Sequence, residues 1–406
     1  MSALLLALCL AGAPAQEDDE PVDLFQWARQ LDALDLTWQW GDFAFAFGGE
    51  ADLEFFAFGK EAPGVHVEDP AIRSHRYKRG KFADSPEAVG RLQAVLDLSY
   101  HDWLEGSVEG RVDGTTALDG VAGARIEQAW LRARIPGTPE AAFQAGKFAP
   151  PIGNFIPRSA PRKNPMATWP LPYDHITTLA SPGDGPAQLR NRRDAPDVKD
   201  WYVPIWQAVY TEGLMAFGTW KDLSYSVAVM NSAPGTLPFE WDREFGNLRF
   251  SNLYLHASYV LDITTKIGAT ASWGPYEKRD FATGDPEDFQ QTLLGFEAEF
   301  MKGYLEVYGE FFWTRFETLL AGNLDLCSWY VEAKYAITPA LFAAVRVAQM
   351  YFLDPSWDRD VSRFEVGAGW FFTPNFFVKA TGQFNVHMGG REPSDDMLMI
   401  QVGLGF

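Results

Sequence analysis

Apolar and polar positions alternate without interruption along residues 397–406. The wholly apolar face of this segment comprises Leu398, Ile400, Val402, Leu404 and Phe406. The other face carries Met399, Gln401, Gly403 and Gly405. A period of two is typical of a β-strand, in which successive side chains point to opposite faces. A strand with one apolar face and one face that contains Gln and Gly is typical of a barrel wall between lipid and a water-filled interior. The pattern predicts the closing strand of a membrane-spanning barrel, capped by Phe406.

The same kind of segment recurs along most of the chain. Sixteen amphipathic or aromatic-rich segments lie near 43–59, 89–101, 105–115, 122–135, 141–149, 206–219, 222–231, 248–260, 263–276, 290–301, 303–316, 327–337, 339–352, 362–373, 376–388 and 396–406. Most approach the ~10 residues that a tilted spanning strand needs. Short turns alternate with long connections, the longest at 60–88, 150–205, 232–247 and 277–289. We therefore expect an all-β fold, a transmembrane antiparallel β-barrel of about sixteen strands with short periplasmic turns and long extracellular loops. A soluble all-β protein is the competing interpretation.

The alternation also assigns side chains to the two faces of the wall. The charged residues expected to line the lumen are Arg132, Arg134, Glu306, Glu310, Lys334, Arg346 and Lys379. Because Thr381 shares the inner face, Arg should be tolerated there, whereas Arg at lipid-facing Val307 or Ile400 should hinder assembly. The aromatic residues expected at the membrane interfaces are Trp201, Tyr202, Trp206, Trp220, Trp273 and Trp370.

The first forty residues differ from the rest. Residues 1–15 read as a signal peptide, with an apolar run followed by Ala13-Pro14-Ala15, although no basic residue precedes the run. Residues 16–40 form an acidic segment in which 21–36 fit a short amphipathic helix. The barrel is expected over 41–406. The net charge of −20 argues against nucleic acid as a partner, and no apolar run is long enough for a spanning helix.

One region resembles a known family. The run Gln128 to Arg134, a Pro-Gly turn, and then Phe143 to Gly153 with its Gly-Lys-Phe-Ala-Pro-Pro-Ile-Gly sequence resemble the phosphate-selective porin O and P family. Shorter patches over 90–406 are similar too. The resemblance implies a sixteen-stranded, trimeric outer-membrane porin with a long third loop. The sequence shows no ladder of closely spaced lumenal Arg residues, so the family name does not define the solute.

The third long loop, 150–205, is rich in basic residues and in Pro. Its candidate constriction residues are Arg158, Arg162, Lys163, Arg190, Arg192 and Arg193. Cations that narrow a low-dielectric channel would favour anions by focusing the field. The alternative is that these cations pair with lipopolysaccharide or with loop acids such as Asp174.

These observations predict a passive porin for small hydrophilic solutes in the outer membrane of a Gram-negative bacterium. The expected partners are outer-membrane lipid and lipopolysaccharide, the barrel-assembly machinery acting on Phe406, and two further copies in a homotrimer. No cofactor or metal is expected. A plugged barrel with an adhesive or structural role is an alternative. A lipid-handling enzyme is a weaker one, because the six His residues show no catalytic spacing and His256 shares a face with Tyr254.

Overall fold

The computed structural model describes residues 36–58, 87–115, 122–135, 138–179, 202–206, 210–237, 251–277, 288–319, 322–388 and 396–406. These residues form seventeen strands. The first nine are β1 (Thr37–Trp40), β2 (Phe43–Phe58), β3 (Glu87–Tyr100), β4 (Leu104–Thr115), β5 (Ala122–Ile135), β6 (Thr138–Phe148), β7 (Thr211–Trp220), β8 (Leu223–Met230) and β9 (Asn252–Asp262). The other eight are β10 (Thr265–Pro275), β11 (Gln290–Lys302), β12 (Leu305–Phe316), β13 (Leu324–Ala336), β14 (Leu341–Phe352), β15 (Val361–Phe371), β16 (Phe376–His387) and β17 (Met397–Gly405). The predicted signal peptide and N-terminal helix lie outside the described residues.

Each strand from β2 to β17 pairs antiparallel with its sequence neighbour, and β17 pairs with β2. In the described part of the chain this makes a closed barrel of sixteen strands, so the predicted fold class is confirmed. Closure gives each of these sixteen strands a partner on both sides, since an open edge would not be tolerated in lipid. Connections of two to four residues alternate with longer ones, which defines a short-turn end and a long-loop end of the barrel.

The inner and outer faces follow the predicted alternation. On β13, Tyr330 and Glu332 are fully buried inside, while Val331 between them is exposed on the outer surface. On β16, Lys379 and Thr381 are buried, with Ala380 exposed between them. Charges on the lipid side cost roughly 2 to 4 kcal/mol at mid-depth, which explains this sorting.

Barrel closure places Phe406 against Gly49 of β2. Their backbones exchange two hydrogen bonds of 3.0 Å. A Cβ at Gly49 would lie 2.5 Å from the Phe406 ring, so the close approach requires glycine. The short strand β1 was not predicted from the sequence. It forms a hairpin with the start of β2, along the same edge of β2 that β17 pairs with further on.

Candidate functional site: the barrel lumen

Loop three connects β6 to β7, and its described residues, 149–179, 202–206 and 210, lie inside the barrel. Two 3₁₀ helices, Ile156–Arg158 and Leu171–Tyr173, lie in its described part. Residues 149–179 contact the inner faces of β10–β16 through a series of hydrogen bonds and ion pairs. The loop therefore covers one side of the lumen.

The first anchor of loop three is Glu310 on β12. Its carboxylate accepts hydrogen bonds from the backbone N–H groups of Asn154 and Phe155, the latter at 3.1 Å, and from the Tyr173 hydroxyl at 2.8 Å. Burial and the nearby Glu310 carboxylate raise the pKa of Tyr173, which keeps its hydroxyl a donor. Gly153 has φ +55, and a Cβ there would collide with Glu310 and approach the Tyr173 hydroxyl to 2.9 Å.

The second anchor is a charged row across β13, β14 and β15. Glu332, Arg346 and Glu365 lie directly opposite one another in register. Arg346 is 0% exposed and donates to Glu332 at 3.0 Å, to Glu365 at 2.6 and 2.9 Å, and to the Thr168 carbonyl of loop three at 2.9 Å. Arg158 of the loop donates to the other Glu332 oxygen at 3.0 Å. These charges thus neutralise one another while holding the loop.

The third anchor lies on β15 and β16. Lys379 donates to three loop carbonyls, those of Pro161, Asn164 and Met166, at 2.6, 2.7 and 3.2 Å. The Thr381 hydroxyl accepts the Ala167 N–H at 2.9 Å. Both wall residues are buried beneath the loop.

Arg363 of β15 completes this anchor. It donates to the Trp169 carbonyl at 3.3 Å and to Asp174 at 2.5 Å. In this pair the barrel wall supplies the base and loop three supplies the acid. The many basic residues of loop three suggest the opposite, namely loop bases that pair with wall acids.

The returning part of loop three adds an apolar filling. Tyr202 and Trp206 are fully buried inside the barrel, so the prediction that they lie in the interfacial girdle is wrong. Tyr202 packs edge-on to Tyr276 at 5.0 Å between ring centroids, and the Trp206 indole donates to the Gly235 carbonyl at 3.3 Å. The predicted strand start at 206 is also wrong, because β7 begins at Thr211.

The described girdle candidates behave differently. Trp220, Trp273 and Trp370 are exposed on the outer surface, as predicted. Trp201 lies outside the described residues.

Opposite loop three, the inner faces of β2–β6 line a cavity of about 540 Å³, here called the slot. Its strand wall carries four acidic and four basic side chains, and Lys163 of the loop adds a fifth base. The charged lining residues are Asp52, Glu54, Glu109, Glu127, Arg91, Arg111, Arg125, Arg132 and Lys163. The loop side of the slot is mainly apolar and includes Pro150, Pro151, Ile156 and Trp169.

Ion pairs within and between neighbouring strands organise the charged wall of the slot. Arg91 pairs with Asp52 at 2.9 Å and with Glu54. Glu127 receives Arg125 at 2.6 Å and Arg111 at 3.3 Å. The wall therefore presents alternating, mutually compensated charges rather than a field of one sign.

Amide side chains hold the carboxylates of this wall in place. Gln128 donates to Glu109 at 2.9 Å, and Gln93 donates to the other oxygen of the same carboxylate. Gln401 of β17 donates to Glu54 at 2.8 Å. The polar wall is thereby continuous from β17 to β5.

Glu127 reaches the lumen through a β-bulge. Glu109 of β4 pairs with Gln128, and the next residue, Gly110, pairs with Ile126, so Glu127 is the extra residue of β5. A bulge places two consecutive side chains, those of Glu127 and Gln128, on the same face. Strict alternation therefore missed Glu127. Asp52, Glu54 and Arg125 also line this wall and were not among the predicted lumenal residues.

The remaining lumenal candidates lie toward the short-turn end. Arg132 contacts Glu105 at 3.3 Å and donates to Gln144 at 2.9 Å, and its guanidinium lies 4.6 Å over the Trp130 ring. Arg134 pairs with Glu105 at 2.5 Å.

A similar pair lies on the other side of the same end. Lys334 of β13 pairs with Glu306 of β12 at 2.9 Å, and both side chains are only partly buried. Lys334 and Glu306 face inward from the wall. Glu310, Arg346 and Lys379 also face inward, but loop three covers them.

The basic residues predicted for loop three have separate surroundings. Arg158 is held between Glu332 and the Tyr308 ring, 3.5 Å from its centroid. Arg162 donates to Asn375 at the short-turn end at 2.5 Å. Lys163 is exposed and lines the slot. Arg190, Arg192 and Arg193 lie outside the described residues.

In the described part of the chain, no group of three or more His, Cys, Asp or Glu residues could hold a metal ion. His256 accepts or donates a 2.9 Å hydrogen bond with Glu297 on the inner face of β9 and β11. None of the helices in the described segments is long and apolar enough to span a membrane.

A closed sixteen-stranded barrel with an inward-folded third loop defines the porin-type fold of bacterial outer membranes. No protein-family model and no curated protein matches the sequence. OmpF of Salmonella typhi, solved with daunomycin, superposes with a TM-score of 0.58 at 10% identity over 91% of this chain and 100% of that one. An anion-selective porin from Comamonas acidovorans gives 0.54 at 8% identity, covering 89% and 99%. OmpT of Vibrio cholerae, in its trimer form, gives 0.51 at 10% identity, covering 90% and 99%. The chain shares their fold.

Proposed function

We propose that this protein is an outer-membrane porin of a Gram-negative bacterium that lets small hydrophilic solutes diffuse passively. The observation that supports this most is the slot, a polar passage between the charged wall of β2–β6 and loop three inside a closed barrel. A channel wall of paired charges and amides exchanges hydrogen bonds with hydrated solutes, and an anchored loop sets the width.

The ion preference that we propose is weak and toward anions. Five bases against four acids line the slot. Each wall carboxylate lies beside an arginine or an amide, so the excess positive charge is small. This balance argues against strict phosphate selectivity, the finer function that the family resemblance suggests, and for a general pore with a slight anion bias.

The assembly that we propose is a homotrimer embedded in lipid and lipopolysaccharide. The trimer form of OmpT, which shares the fold, is the support for it. We further propose that Phe406 and the apolar face of β17 are the features that the barrel-assembly machinery recognises. The mature chain would begin after residue 15.

Planar-bilayer recording of the purified protein tests the proposed function. Stepwise insertions of open channels, with a reversal potential slightly on the anion side in a salt gradient, are expected. A folded, heat-modifiable barrel without conductance would contradict it.

One observation favours a second function. Tyr202, Val203, Ile205 and Trp206 fill part of the lumen with buried apolar side chains. If this filling continues across the barrel, the protein is a plugged barrel with a structural or adhesive role, and the bilayer recording distinguishes the two. A lipid-handling enzyme has no comparable support, because His256 faces the interior.

A further inference from the structure

The two walls of the slot differ in chemistry. The strand wall offers carboxylates, guanidinium groups and amides in alternation. The loop wall offers prolines, Ile156 and the half-buried Trp169. Trp130 lies at the boundary with a second cavity nearer the short-turn end, since its side chain lines both. A solute in the slot thus meets hydrogen-bonding groups on one side and an apolar surface on the other.

Two buried acceptor oxygens on the strand wall receive no N–H donor from the described residues. Glu127 is 2% exposed, and its Oε1 atom receives Arg125 and Arg111. No N–H group of the described residues donates to Oε2, and the neighbouring polar group is the carboxyl group of Glu109. The Oε1 atom of Gln401, which also lines the slot, is likewise without a donor in the described segments. A buried acceptor without a donor is unfavourable, so both oxygens favour a solute that donates hydrogen bonds.

The charge pattern limits which donor fits. A fully ionised anion brings no proton to Glu127, and a simple cation would meet the surrounding arginines. A hydroxyl group both donates and accepts, so it can donate to Glu127 Oε2 and accept from a guanidinium beside it. A ring that carries several hydroxyls on its edge and C–H groups on its faces matches the two unlike walls of the slot.

We infer that the slot is a low-affinity binding site for small pyranose sugars, in which hydroxyls contact Glu127 and the adjacent arginines while a ring face packs on Trp169. This inference rests on the proposed porin function. The volume of about 540 Å³ lies within the ~300–1,000 Å³ that is usual for small-molecule sites. An aromatic ring suits such a face because it is flat and apolar.

Sugar block of the ion current tests the inference. The full mature protein is recorded in a planar bilayer while glucose or maltose is added, with sorbitol, glycine and inorganic phosphate as comparison solutes. Sorbitol has the hydroxyls but no rigid ring face, and glycine tests a zwitterion. Glucose or maltose should reduce the current in a saturable way, and sorbitol, glycine and phosphate should each need concentrations about tenfold higher.

Two variants locate the site and one serves as the control. Glu127→Gln should raise the half-blocking sugar concentration about tenfold, the effect of losing one hydrogen bond to a charged group. Trp169→Ala should raise it by a similar factor, whereas Trp220→Ala, on the outer surface, should leave it unchanged. Heat-modifiable migration shows that each variant is folded.

The outcomes separate this inference from the proposed function. A protein that conducts ions but shows no saturable block by either sugar, or that sorbitol, glycine or phosphate blocks as strongly, overturns the sugar site and leaves the porin intact. The same holds if both slot variants are blocked like the wild type. A folded protein that does not conduct overturns the porin function and the sugar site together.

Discussion

Arg346 of β14 and Glu365 of β15 face each other across neighbouring strands and form a two-pronged ion pair, at 2.6 and 2.9 Å, without any exposure to water. The same guanidinium donates to the Thr168 carbonyl of loop three. A charged pair on the barrel wall thus holds loop three against one side of the lumen.

Replacing Arg346 by Met should weaken the barrel and release loop three. Glu332 and Glu365 would be left buried without their common partner, and removing one partner of a buried ion pair costs about 3–5 kcal/mol. Urea unfolding in lipid vesicles, together with protease cleavage within 149–179, measures both effects. Arg315→Ala is the matched control, since its pair with Asp325 is partly exposed and is worth at most about 1 kcal/mol. Equal stability of the two variants would contradict the anchoring role.

Replacing Lys379 by Met should loosen the loop locally. The carbonyls of Pro161, Asn164 and Met166 would lose their shared donor, at a cost of about 1–3 kcal/mol for unmet buried acceptors. Single-channel recording should show noisier and larger conductance than the wild type. Lys266→Met, which removes a half-exposed pair with Glu299, should leave the trace unchanged. Quiet, wild-type conductance in Lys379→Met would show that the lysine does not hold the constriction.

Opposite charge changes in the slot should shift ion preference in opposite directions. Glu127→Gln removes a negative charge beside Arg111 and Arg125 and should move the reversal potential further toward anions. Arg125→Gln should move it toward cations. Asp354→Asn, in a turn at the long-loop end, serves as the control for a charge change outside the slot. If all three variants share the wild-type reversal potential, ions do not pass along this wall.

The two faces of β5 should respond differently to the same new charge. Leu131→Arg places a cation on the exposed outer surface. A cation on the lipid-facing side destabilises a barrel by roughly 2–4 kcal/mol at the bilayer midplane. Gln128→Arg places it in the lumen beside Glu109, which the native amide already contacts at 2.9 Å. The yield of heat-modifiable protein in the outer membrane should fall for the first variant and stay near wild type for the second. Similar yields would contradict the facing of this strand.

Gly49→Ala should impair barrel closure. Its Cβ would lie 2.5 Å from the Phe406 ring and would also collide with the Gln93 carbonyl. Refolding into lipid vesicles should become slower, with a smaller heat-modifiable fraction. Gly114→Ala, on β4, meets no atom within 4 Å and should refold normally. Normal refolding of both variants would mean that the seating of Phe406 tolerates a shift.

Local periodicity was sufficient to predict the barrel. Strands such as β13 and β16 have lipid on one side and polar contacts on the other, so apolar and polar residues alternate along their sequences. The bulge at Glu127 was not predicted, because one extra residue interrupts the alternation without changing the composition of the strand. The location of Tyr202 and Trp206 was predicted wrongly for a related reason. The sequence of an aromatic segment before a strand does not distinguish side chains at the membrane interface from side chains inside the barrel.

The loop contacts could not be predicted from the sequence, because each joins residues far apart in the chain. Lys379 was expected to face the lumen, but only the fold shows that loop three lies over it. For the same reason the expectation that Arg would be tolerated at Thr381 is revised. Its hydroxyl accepts the Ala167 N–H in a buried contact, so a larger side chain would displace the loop.

The most direct test of the porin function is single-channel conductance of the purified mature protein in a planar bilayer under a salt gradient. Stepwise insertions of an open pore, with a reversal potential slightly on the anion side, are the expected result. Heat-modifiable, folded barrels that insert without any conductance would contradict it and would favour a lumen closed by loop three.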